Sequence, residues 1–423
     1  MCGILFSLDK EKISDLETLK KRGPENFNEV ENDLGYFVHS LLNTIGKSVP
    51  QPMQNKKGVL LYNGSIYNHN SSNDAEWISQ NLDDNLDNTL SVIRSLRGEY
   101  ALVYVTEKHI VFCADEFHQR NLWFYFSKEN KKFTACSIPK IVSDKHGSCW
   151  YAQDNKIYVI DRGTMHINVL QNRSWNYEQK TNHFDDVFEK FEIAIRDRQD
   201  PKITTNLHSS GTDSGAIDCA TLKLIKDYKS IVTVTDEIKS VLVERYKKHK
   251  FTPLPKARQQ VEKDSIFTNI FDSHEHFTWA GETDSLIHMY RRIAKKNRHK
   301  VVISGNGGDE IYNDHKGQHN NHLKGRTNGC FPENLELFWP WHSLIGRLII
   351  NNQRADFIAG WFGIEVRNPL QDQDLVQAWL NTTNKLKNQG YKLWMEQYMN
   401  KNHYPFVLGP AGKTHFCGHK YTK

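Results

Sequence analysis

The sequence predicts a chain of two domains, an α+β domain with stacked antiparallel sheets followed by an α/β domain with a parallel sheet. Up to residue 167, strand-like segments follow one another with few helical segments between them. Residues 168–184 are polar and are typical of a linker. Beyond them strands alternate with helices. We therefore expect domains at residues 2–167 and 185–423.

Size and composition agree with two domains and exclude several classes of protein. The chain has 423 residues, 38% hydrophobic and 25% charged, as in ordinary globular proteins. No apolar run reaches the ~20 residues of a membrane span, and a net charge of +5 is too small to indicate nucleic-acid binding. Seven widely spaced cysteines without a Cys-x-x-Cys pair argue against a disulfide framework or a zinc site. We expect a cytoplasmic protein without a membrane or nucleic-acid partner.

Paired strand segments define the first domain. We predict hairpins that join residues 99–105 with 109–114, 122–126 with 132–136, and 156–161 with 164–167. Residues 58–62 form a further apolar run, which we expect Asn63-Gly64 to end as a turn. Consecutive hairpins of this kind favour stacked antiparallel sheets.

Alternating helices and strands define the second domain. Apolar residues between Val187 and Ile195 recur at helical spacing. The strands are predicted to end at Leu207 and to cover 230–235 and 300–303, and the later helices to cover 216–225 and 285–296. This order implies a parallel sheet with helices on both faces. We expect the basic runs 245–250 and 291–300 to be solvated helix faces.

Cys2 is the first residue with clear chemical potential. If methionine aminopeptidase removes Met1, a thiol and an α-amino group lie on one residue, and the amine can act as the base for the thiol. The position alone is not specific, but motifs elsewhere accompany it. These motifs are Met1-Cys2-Gly3-Ile4, Lys21–Glu25, Gln51-Pro52, Asn63–Asn68 and Ala114–Leu122.

Together these motifs resemble class II glutamine amidotransferases, whose N-terminal nucleophile fold is a four-layer αββα sandwich. The resemblance implies that Cys2 attacks the side-chain amide of glutamine. It also implies that the Asn63 side chain and the Gly64 backbone N–H hold the resulting oxyanion.

A second motif, His208–Gly215, lies at a predicted strand-to-helix junction. Backbone N–H groups in such a small-residue turn bind anions. The spacing differs from G-x-x-x-x-G-K-S/T, which disfavours a Walker-type kinase or GTPase. The motif instead resembles the SGGxDS loop of PP-loop ATP pyrophosphatases. This resemblance implies that Ser209, Gly211, Asp213 and Ser214 cradle pyrophosphate.

A third group of motifs resembles the glutamine-hydrolysing asparagine synthetases. Val302–Glu310 is similar to their LSGxGxDE segment, and Gly363–Asp372 is similar to GvExRxPfLD. Gly390–Met395 resembles their lysine-bearing helix, and Lys413 lies in a stretch like their late R-x-K-x-x-F. The resemblance covers nearly the whole chain, and its motifs occur in the family's order.

The resemblance implies an ATP-dependent reaction. Asp213 and Asp309 would bind Mg2+ on ATP, and Lys392 would neutralise charge on the phosphates. The adenosine pocket would be lined by Val234, Ser304 and Gly305. A carboxylate such as aspartate would be adenylated, and ammonia from glutamine would form the amide and release AMP. A homodimer is compatible with the sequence.

Two residues of the first domain depart from the family pattern. Leu41 occupies the position of the arginine that clamps the α-carboxylate of glutamine, and Ser65 replaces the glutamate expected to bind its α-ammonium group. Three explanations stay open. The thiol acts on an atypical amide donor, Arg94 or Arg97 supplies the missing charge, or the site is decaying.

Asn306 replaces the acidic residue that handles ammonia in the family, and an amide cannot act as a general base. Glu310 or Glu365 could take the proton, although Glu365 and Arg367 could equally form a structural ion pair. Two alternatives to an asparagine synthetase-like enzyme follow. One is an amide ligase for another carboxylate or amine, with an inert or repurposed first domain. The other is a non-catalytic ATP-binding homologue.

Overall fold

The computed structural model places most of the chain in two compact units. It describes residues 1–9, 13, 16–44, 46–232, 239–250, 252–253, 270, 281–296, 300–313, 330–336, 345–406, 408–409 and 413–414. Val234, which was predicted to line the adenosine pocket, lies outside the described residues. One unit comprises Met1–Ser174, Val261–Lys300 and Ile349–Glu365, and the other comprises Trp175–Gln260, Val301–Leu348 and Val366–Lys423. No helix in the described ranges is long and apolar enough to cross a membrane.

Antiparallel strands build the first unit. They are β1 (Gly3–Ser7), β2 (Asn26–Asn32), β3 (Gly35–Leu41), β4 (Met53–Gln54), β5 (Gly58–Ile66), β6 (Gly98–Thr106), β7 (His109–Ala114), β8 (Trp123–Ser127), β9 (Lys132–Cys136), β10 (Trp150–Tyr151), β11 (Lys156–Asp161) and β12 (His166–Gln171). One sheet has the strand order β10-β8-β9-β1-β3-β2 and the other β12-β11-β7-β6-β5-β4. The predicted hairpins β6-β7, β8-β9 and β11-β12 are confirmed.

Thirteen α-helices lie within the described residues. They are α1 (Glu17–Arg22), α2 (Asp74–Asn81), α3 (Leu86–Ser95), α4 (Pro139–His146), α5 (Asp185–Arg198), α6 (Thr212–Leu224), α7 (Lys239–Lys248), α8 (Gly281–Lys296), α9 (Gly308–Tyr312), α10 (Ile345–Trp361), α11 (Gln373–Asn381), α12 (Asn384–Lys387) and α13 (Leu393–Lys401), with a 3-10 turn at Pro369–Gln371. The helices predicted near residues 187–195, 216–225 and 285–296 are confirmed as parts of α5, α6 and α8.

Alternation along β5 shows how the core of the first unit is divided. Val59 and Leu61 lie in a buried cluster that includes Phe6 and Phe37 of the other sheet. Their neighbours Leu60 and Tyr62 lie in a second cluster, to which α2 and α3 contribute apolar side chains. Successive side chains of a strand point to opposite faces, so each face of β5 packs against a different partner. The complete αββα sandwich stays a prediction.

The turn predicted at Asn63-Gly64 is wrong, because β5 continues through both residues to Ile66. Asn63 pairs with Ala101 and Gly64 with Tyr100 in the antiparallel register with β6. A side chain at Gly64 would overlap the backbone of β6, so glycine permits a close approach of the two strands. The turn signal was therefore overridden by strand pairing.

A parallel sheet organises the second unit. Its strands are β13 (Thr204–His208), β14 (Lys229–Val232), β15 (Thr252–Pro253), β16 (Val301–Ile303) and β17 (Glu365–Arg367), and a separate hairpin joins β18 (Leu408–Gly409) with β19 (Lys413–Thr414). The strand order is β15-β14-β13-β16-β17. β13 is parallel to both β14 and β16. The chain order reverses between β13 and β16, and ligands of open α/β sheets bind at the carboxyl ends of strands at such a point.

A buried ion pair fixes the start of α11 in the second unit. Arg198 Nη1 lies 2.9 Å from Asp372 Oδ2, and both side chains are buried. The other oxygen of Asp372 accepts hydrogen bonds from the backbone N–H groups of Asp374 and Leu375. Asp372 is therefore both the counterion of Arg198 and the N-cap of a helix.

Asp372→Ala should lower the free energy of unfolding by about 3–5 kcal/mol, because it leaves a buried guanidinium without its carboxylate. Urea unfolding followed by circular dichroism measures this change. The matched control Asp185→Ala removes an exposed acid from the first turn of α5 and should cost less than about 1 kcal/mol. Equal losses of unfolding free energy in the two variants would contradict the role of Asp372 as the buried counterion of Arg198.

Candidate active sites

A pocket in the first unit surrounds the thiol of Cys2. Its empty volume is about 440 Å³, part of which is open to solvent. The lining residues are Cys2, Leu41, Leu42, Asn43, Thr44, Val49, Gln51, Tyr62, Gly64, Ser65, Asn73, Asp74 and Ala75. The start of β1, the end of β3 and the continued part of β5 therefore meet around one cavity. The Cys2 thiol donates to the Leu42 carbonyl oxygen at 3.7 Å.

Buried polar contacts hold the backbone of Cys2. Arg22 Nε donates to the Cys2 carbonyl oxygen at 3.0 Å, and Arg22 Nη2 lies 2.8 Å from Asp356 Oδ2. The next residue, Gly3, donates its N–H to Ser40 Oγ at 3.0 Å. In the sequence, Arg22 is only part of the motif Lys21–Glu25, which does not indicate that it holds the Cys2 backbone. Asp356 is 334 residues away in the chain, so no local signal could have revealed the pair.

Burial controls the protonation of the thiol and of the chain terminus. Met1 is fully buried, and burial lowers the pKa of its amino group to about 5. Burial also raises the pKa of the Cys2 thiol, an effect that the nearby amino terminus opposes. The thiol is thus protonated at neutral pH and needs a base to react. Removal of Met1 would place such a base, the α-amine, on Cys2 itself.

Asn63 carries an unsatisfied amide in the interior. Its side chain is buried, and neither Nδ2 nor Oδ1 has a hydrogen-bond partner within the described part of the chain. Buried amides without partners are rare in folded proteins. A transient oxyanion would satisfy the Nδ2 donor, as the family resemblance implies. Gly64, its neighbour in β5, lines the same pocket as Cys2.

Among the described lining residues there is no cation that could replace the arginine expected at position 41. Leu41 and Ser65 both line it. Arg94 and Arg97 are not among the lining residues, and each donates a hydrogen bond to a backbone carbonyl elsewhere. The geometry therefore does not support the idea that either arginine supplies the charge.

Glu365 lies behind the hydroxyl groups of the pocket. Ser65 Oγ donates to Glu365 Oε1 at 3.1 Å, and Thr44 Oγ1 donates to Glu365 Oε2 at 3.4 Å. Arg120 Nη2 lies 3.7 Å from Glu365 and 3.2 Å from Glu99. Arg120 is thus the shared counterion of Glu365 and Glu99.

The second candidate site begins with the loop between β13 and α6. Ser209 Oγ and Ser214 Oγ are 2.6 Å apart, and Ser209 Oγ accepts the N–H of Gly211 at 3.0 Å. Ser209 N–H donates to Ser214 Oγ at 3.1 Å. These bonds bring the loop close to the N-terminus of α6, where backbone N–H groups favour an anion.

Arg245 of α7 fixes this loop, although its basic run was expected to be a solvated face. The expectation is wrong for Arg245, which is fully buried. Its guanidinium donates to the carbonyl oxygens of Ser209 and Gly211, and Nε donates to Pro405 O at 2.8 Å. The C=O and N–H groups of a trans peptide point in opposite directions. The N–H groups that follow these carbonyls therefore point away from Arg245.

Lys392 brings the two predicted metal ligands together. Its Nζ lies 2.7 Å from both carboxylate oxygens of Asp213 and 2.7 Å from Asp309 Oδ1. Tyr391 OH donates to Asp309 Oδ1 at 3.0 Å. Asp213 follows β13 and Asp309 follows β16, so both lie where the strand order reverses. Lys392 has a left-handed backbone, with φ of 45°, directly before α13.

The charges of this cluster are strongly coupled. Burial raises the pKa of Asp213 to about 6, with Lys392 opposing the rise and Asp309 adding to it. Burial lowers the pKa of Lys392, but the two carboxylates outweigh that effect and hold it above its usual value. Lys392 therefore stays cationic between two acids near neutral pH.

The cluster fits a magnesium ion that is completed by phosphate oxygens. Mg2+ is often held by one or two carboxylates together with substrate phosphates, and Asp213 and Asp309 supply two carboxylates. Across the described residues there is no group of three or more histidine, cysteine or acidic side chains that could hold a metal. The donor set thus suits a metal carried by a nucleotide rather than a self-contained metal centre.

Glycines allow the second loop to pack against Asp213. Ser304 and Gly305 follow β16, and the Ser304 N–H donates to Arg367 O at 2.9 Å. A Cβ at Gly305 would lie 3.1 Å from Asp213 Cβ, and one at Gly308 would overlap the Asp213 carboxylate. Position 308 therefore needs glycine while the Asp213 carboxylate stays in place, and glycine at position 305 leaves the close contact with Asp213 unstrained. The predicted adenosine residue Val234 lies outside the described residues.

Next to this loop, hydrogen bonds hold the backbone of Asn306. Gln371 Nε2 donates to the Asn306 carbonyl oxygen at 3.1 Å. The nearby Glu310 is buried, and burial raises its pKa to about 7, with a further contribution from Asp309. Glu310 is therefore a titratable group beside the position where the family carries an acid.

Comparisons with known proteins agree with the motifs. The chain is 24% identical over 424 residues to a protein of Methanocaldococcus jannaschii named "Putative asparagine synthetase (glutamine-hydrolyzing) 1", covering 89% of this chain and 73% of that protein. No protein-family model matches the chain. The similarity supports the resemblance to asparagine synthetases along most of the sequence.

Similar solved structures include glutamine phosphoribosylpyrophosphate amidotransferase from B. subtilis in complex with ADP and GMP. It is 14% identical with a TM-score of 0.35, covering 49% of this chain and 61% of that chain, less than two thirds of its length. A structure described as the allosteric regulatory enzyme of purine biosynthesis is 12% identical with a TM-score of 0.33, covering 72% of this chain and 90% of that chain. A glutamine aminotransferase class-II domain protein from Silicibacter pomeroyi is 9% identical with a TM-score of 0.27, covering 41% and 100%.

Arg245→Met should loosen the loop between β13 and α6, because two carbonyl groups lose their buried donor. We expect amide hydrogen exchange at residues 209–215 to become roughly tenfold faster, as local opening becomes less costly. Mass spectrometry of exchanged peptides measures this rate. Lys247→Met, an exposed change on the same helix, is the control and should leave the rate unchanged. Unchanged exchange in Arg245→Met would contradict the anchoring role.

Proposed function

We propose that the chain is an ATP-dependent amidotransferase similar to asparagine synthetases. In this proposal, an amide donor such as glutamine is hydrolysed at Cys2, and a carboxylate such as aspartate is adenylated in the second unit. Ammonia then forms the amide and displaces AMP. The observation that carries the proposal is the cluster of Asp213, Asp309 and Lys392, which lies beside two strand-to-helix loops at the reversal of the strand order.

The first reaction would use the groups around Cys2. The thiolate adds to the side-chain amide carbon, and the proton of the thiol passes to the leaving ammonia through the α-amine of the processed terminus. Asn63 Nδ2 and the Gly64 N–H would stabilise the oxyanion, which is consistent with the unpaired and buried Asn63 amide. Water then hydrolyses the thioester and leaves the donor as a carboxylic acid.

The second reaction would use the cluster at the switch point. Asp213 and Asp309 would hold Mg2+, which would neutralise the charge on the phosphates of ATP. The loop at residues 209–214 would bind pyrophosphate through its N–H and hydroxyl groups. Lys392, already placed between the two acids, would transfer part of its interaction to the leaving pyrophosphate.

A second candidate function is an amide ligase that uses another carboxylate or another amine. Asn306 favours it, since its amide cannot accept a proton from an attacking amine. In this candidate Glu310, with a pKa of about 7, would take that proton. A non-catalytic homologue is less consistent with the geometry, because such a protein has no need to bury a lysine between two acids.

Loss of Cys2 should separate the two reactions. We expect wild-type protein with ATP, Mg2+ and a suitable carboxylate to form AMP with either an amide donor or ammonium chloride. Cys2→Ala should keep the ammonium-supported rate and lose the donor-supported rate, because only ammonia release needs the thiol. Mass spectrometry of AMP and of the amide product, across a panel of carboxylates that includes aspartate, measures both rates.

Lys392→Met should lower AMP formation with either nitrogen source at least ~100-fold, because it removes the charge that offsets the leaving phosphates. Lys247→Met provides an exposed lysine control that should not change the rate. Full donor-supported activity in Cys2→Ala would contradict the two-site scheme. Absence of carboxylate-dependent AMP with every nitrogen source would overturn the ligase proposal itself.

A further inference from the structure

The charge of the Cys2 pocket is unlike that of a site for a free amino acid. Of the lining residues that the structure describes, Asp74 is the single one with a charged side chain. Asp74 Oδ2 accepts the Ile66 N–H at 2.9 Å, and Oδ1 lies 3.0 Å from His69 Nε2. Its side chain is 13% exposed, so the carboxylate is fixed in place and still accessible from the pocket.

A second carboxylate lies just beyond the lining. Glu365 accepts hydrogen bonds from Ser65 and Thr44, whose hydroxyl groups form part of the pocket wall. Arg120 is shared between Glu365 and Glu99, so these three side chains carry a net charge of −1 when ionised. The pocket is therefore bordered by negative charge from two directions.

Two cations that contact the backbone of lining residues are already paired. Arg22 contacts the carbonyl of Cys2 and forms an ion pair with Asp356. Lys300 donates to the carbonyl oxygen of Asn43, a lining residue, and forms an ion pair with Glu25. None of the lining residues described by the structure is a lysine or an arginine.

This arrangement should reject a carboxylate and accept a cation. A free carboxylate that enters the pocket loses hydration, meets no lysine or arginine among the described lining residues and approaches two negative groups. An ammonium group in the same place gains the interaction with Asp74. Leu41, buried where the family carries its arginine, offers a carboxylate only apolar contact.

We propose that the Cys2 pocket takes an amide donor that carries a positive charge and no free carboxylate. The simplest such donor is glutamine whose α-carboxyl group is in amide linkage and whose α-amino group is free. The inference rests on the proposed role of Cys2 as the nucleophile. The thiolate adds to the side-chain amide carbon, ammonia leaves with the thiol proton, and water cleaves the thioester to give a side-chain carboxylate.

L-glutamine and three of its derivatives distinguish the effect of the α-ammonium group from that of the α-carboxylate. L-glutamine carries both, its α-N-methylamide carries only the ammonium group, Nα-acetylglutamine carries only the carboxylate, and Nα-acetylglutamine N-methylamide carries neither. The secondary α-amide ensures that ammonia can come only from the side chain. The assay follows ammonia release by the full-length chain after intact mass has verified the removal of Met1, with Cys2→Ala as the blank.

We expect kcat/KM for glutamine α-N-methylamide to exceed that for free glutamine at least tenfold, and Nα-acetylglutamine to be the poorest donor. Two results would overturn the proposal. One is a value for free glutamine that equals or exceeds that of its α-N-methylamide, and the other is the absence of ammonia from all four compounds.

Variants test the two charged determinants separately. Leu41→Arg should shift the preference at least tenfold toward free glutamine, because it supplies a cation for the α-carboxylate. Asp74→Asn should remove most of the advantage of donors with a free ammonium group. Val169→Arg introduces the same guanidinium at an exposed position of β12 and should change neither ratio. If Leu41→Arg does not fold, Asp74→Asn and the donor series still decide the question, and an unchanged preference in Asp74→Asn counts against the proposal.

The ligase reaction is measured separately, as AMP formation with ammonium chloride, which does not depend on ammonia release at Cys2. AMP formation without ammonia release from any donor would overturn the donor proposal and leave the ligase function standing. The expected donor preference without AMP formation would support the donor proposal and remove the ligase function.

Discussion

The buried ammonium group of Lys392 is the interaction on which the second unit's candidate site depends. Two carboxylates from the first turns of different helices, Asp213 of α6 and Asp309 of α9, both lie within 2.7 Å of it. Without that cation, burial and mutual repulsion would favour protonation of the acids, as the raised pKa of Asp213 already indicates. Glycines at positions 305 and 308 bring the second loop close enough for the contact. The close packing at the two glycines and the attraction to Lys392 therefore both hold Asp213 and Asp309 next to each other.

Under the proposed function, the same geometry would suit a magnesium–nucleotide complex. Lys392 already holds the two acids close together, so Asp213 and Asp309 would need little rearrangement to hold Mg2+. The ammonium group of Lys392 would then offset negative charge on the phosphates. Arg245 fixes the carbonyls of Ser209 and Gly211, and the N–H groups that follow these carbonyls would be available to an anion.

Sequence reasoning succeeded where the signal is local. The hairpins of the first unit and the strand-to-helix loops of the second follow from periodicity and short motifs. It failed at Asn63-Gly64, where pairing with β6 outweighs the turn propensity of the dipeptide. Contacts such as that between Ser65 and Glu365 could not be predicted, because the two residues are 300 positions apart in the chain. Arg245 looked like a surface residue because its burial depends on carbonyl groups far away in sequence.

The departures from the family pattern share one physical property. Leu41, Ser65 and Asn306 each stand where the resemblance to asparagine synthetases implies an ionisable group that contacts the substrate or handles ammonia. The groups that the resemblance assigns to the reacting atoms are present: the thiol of Cys2, the Asn63 amide, which has no hydrogen-bond partner among the described residues, and the acid–lysine cluster. The buried Asn63 amide has no partner among the described residues and so costs stability, which structural constraint alone does not account for. The pattern therefore favours the proposed chemistry with altered substrate recognition, and the negative border of the Cys2 pocket is where that alteration is most visible.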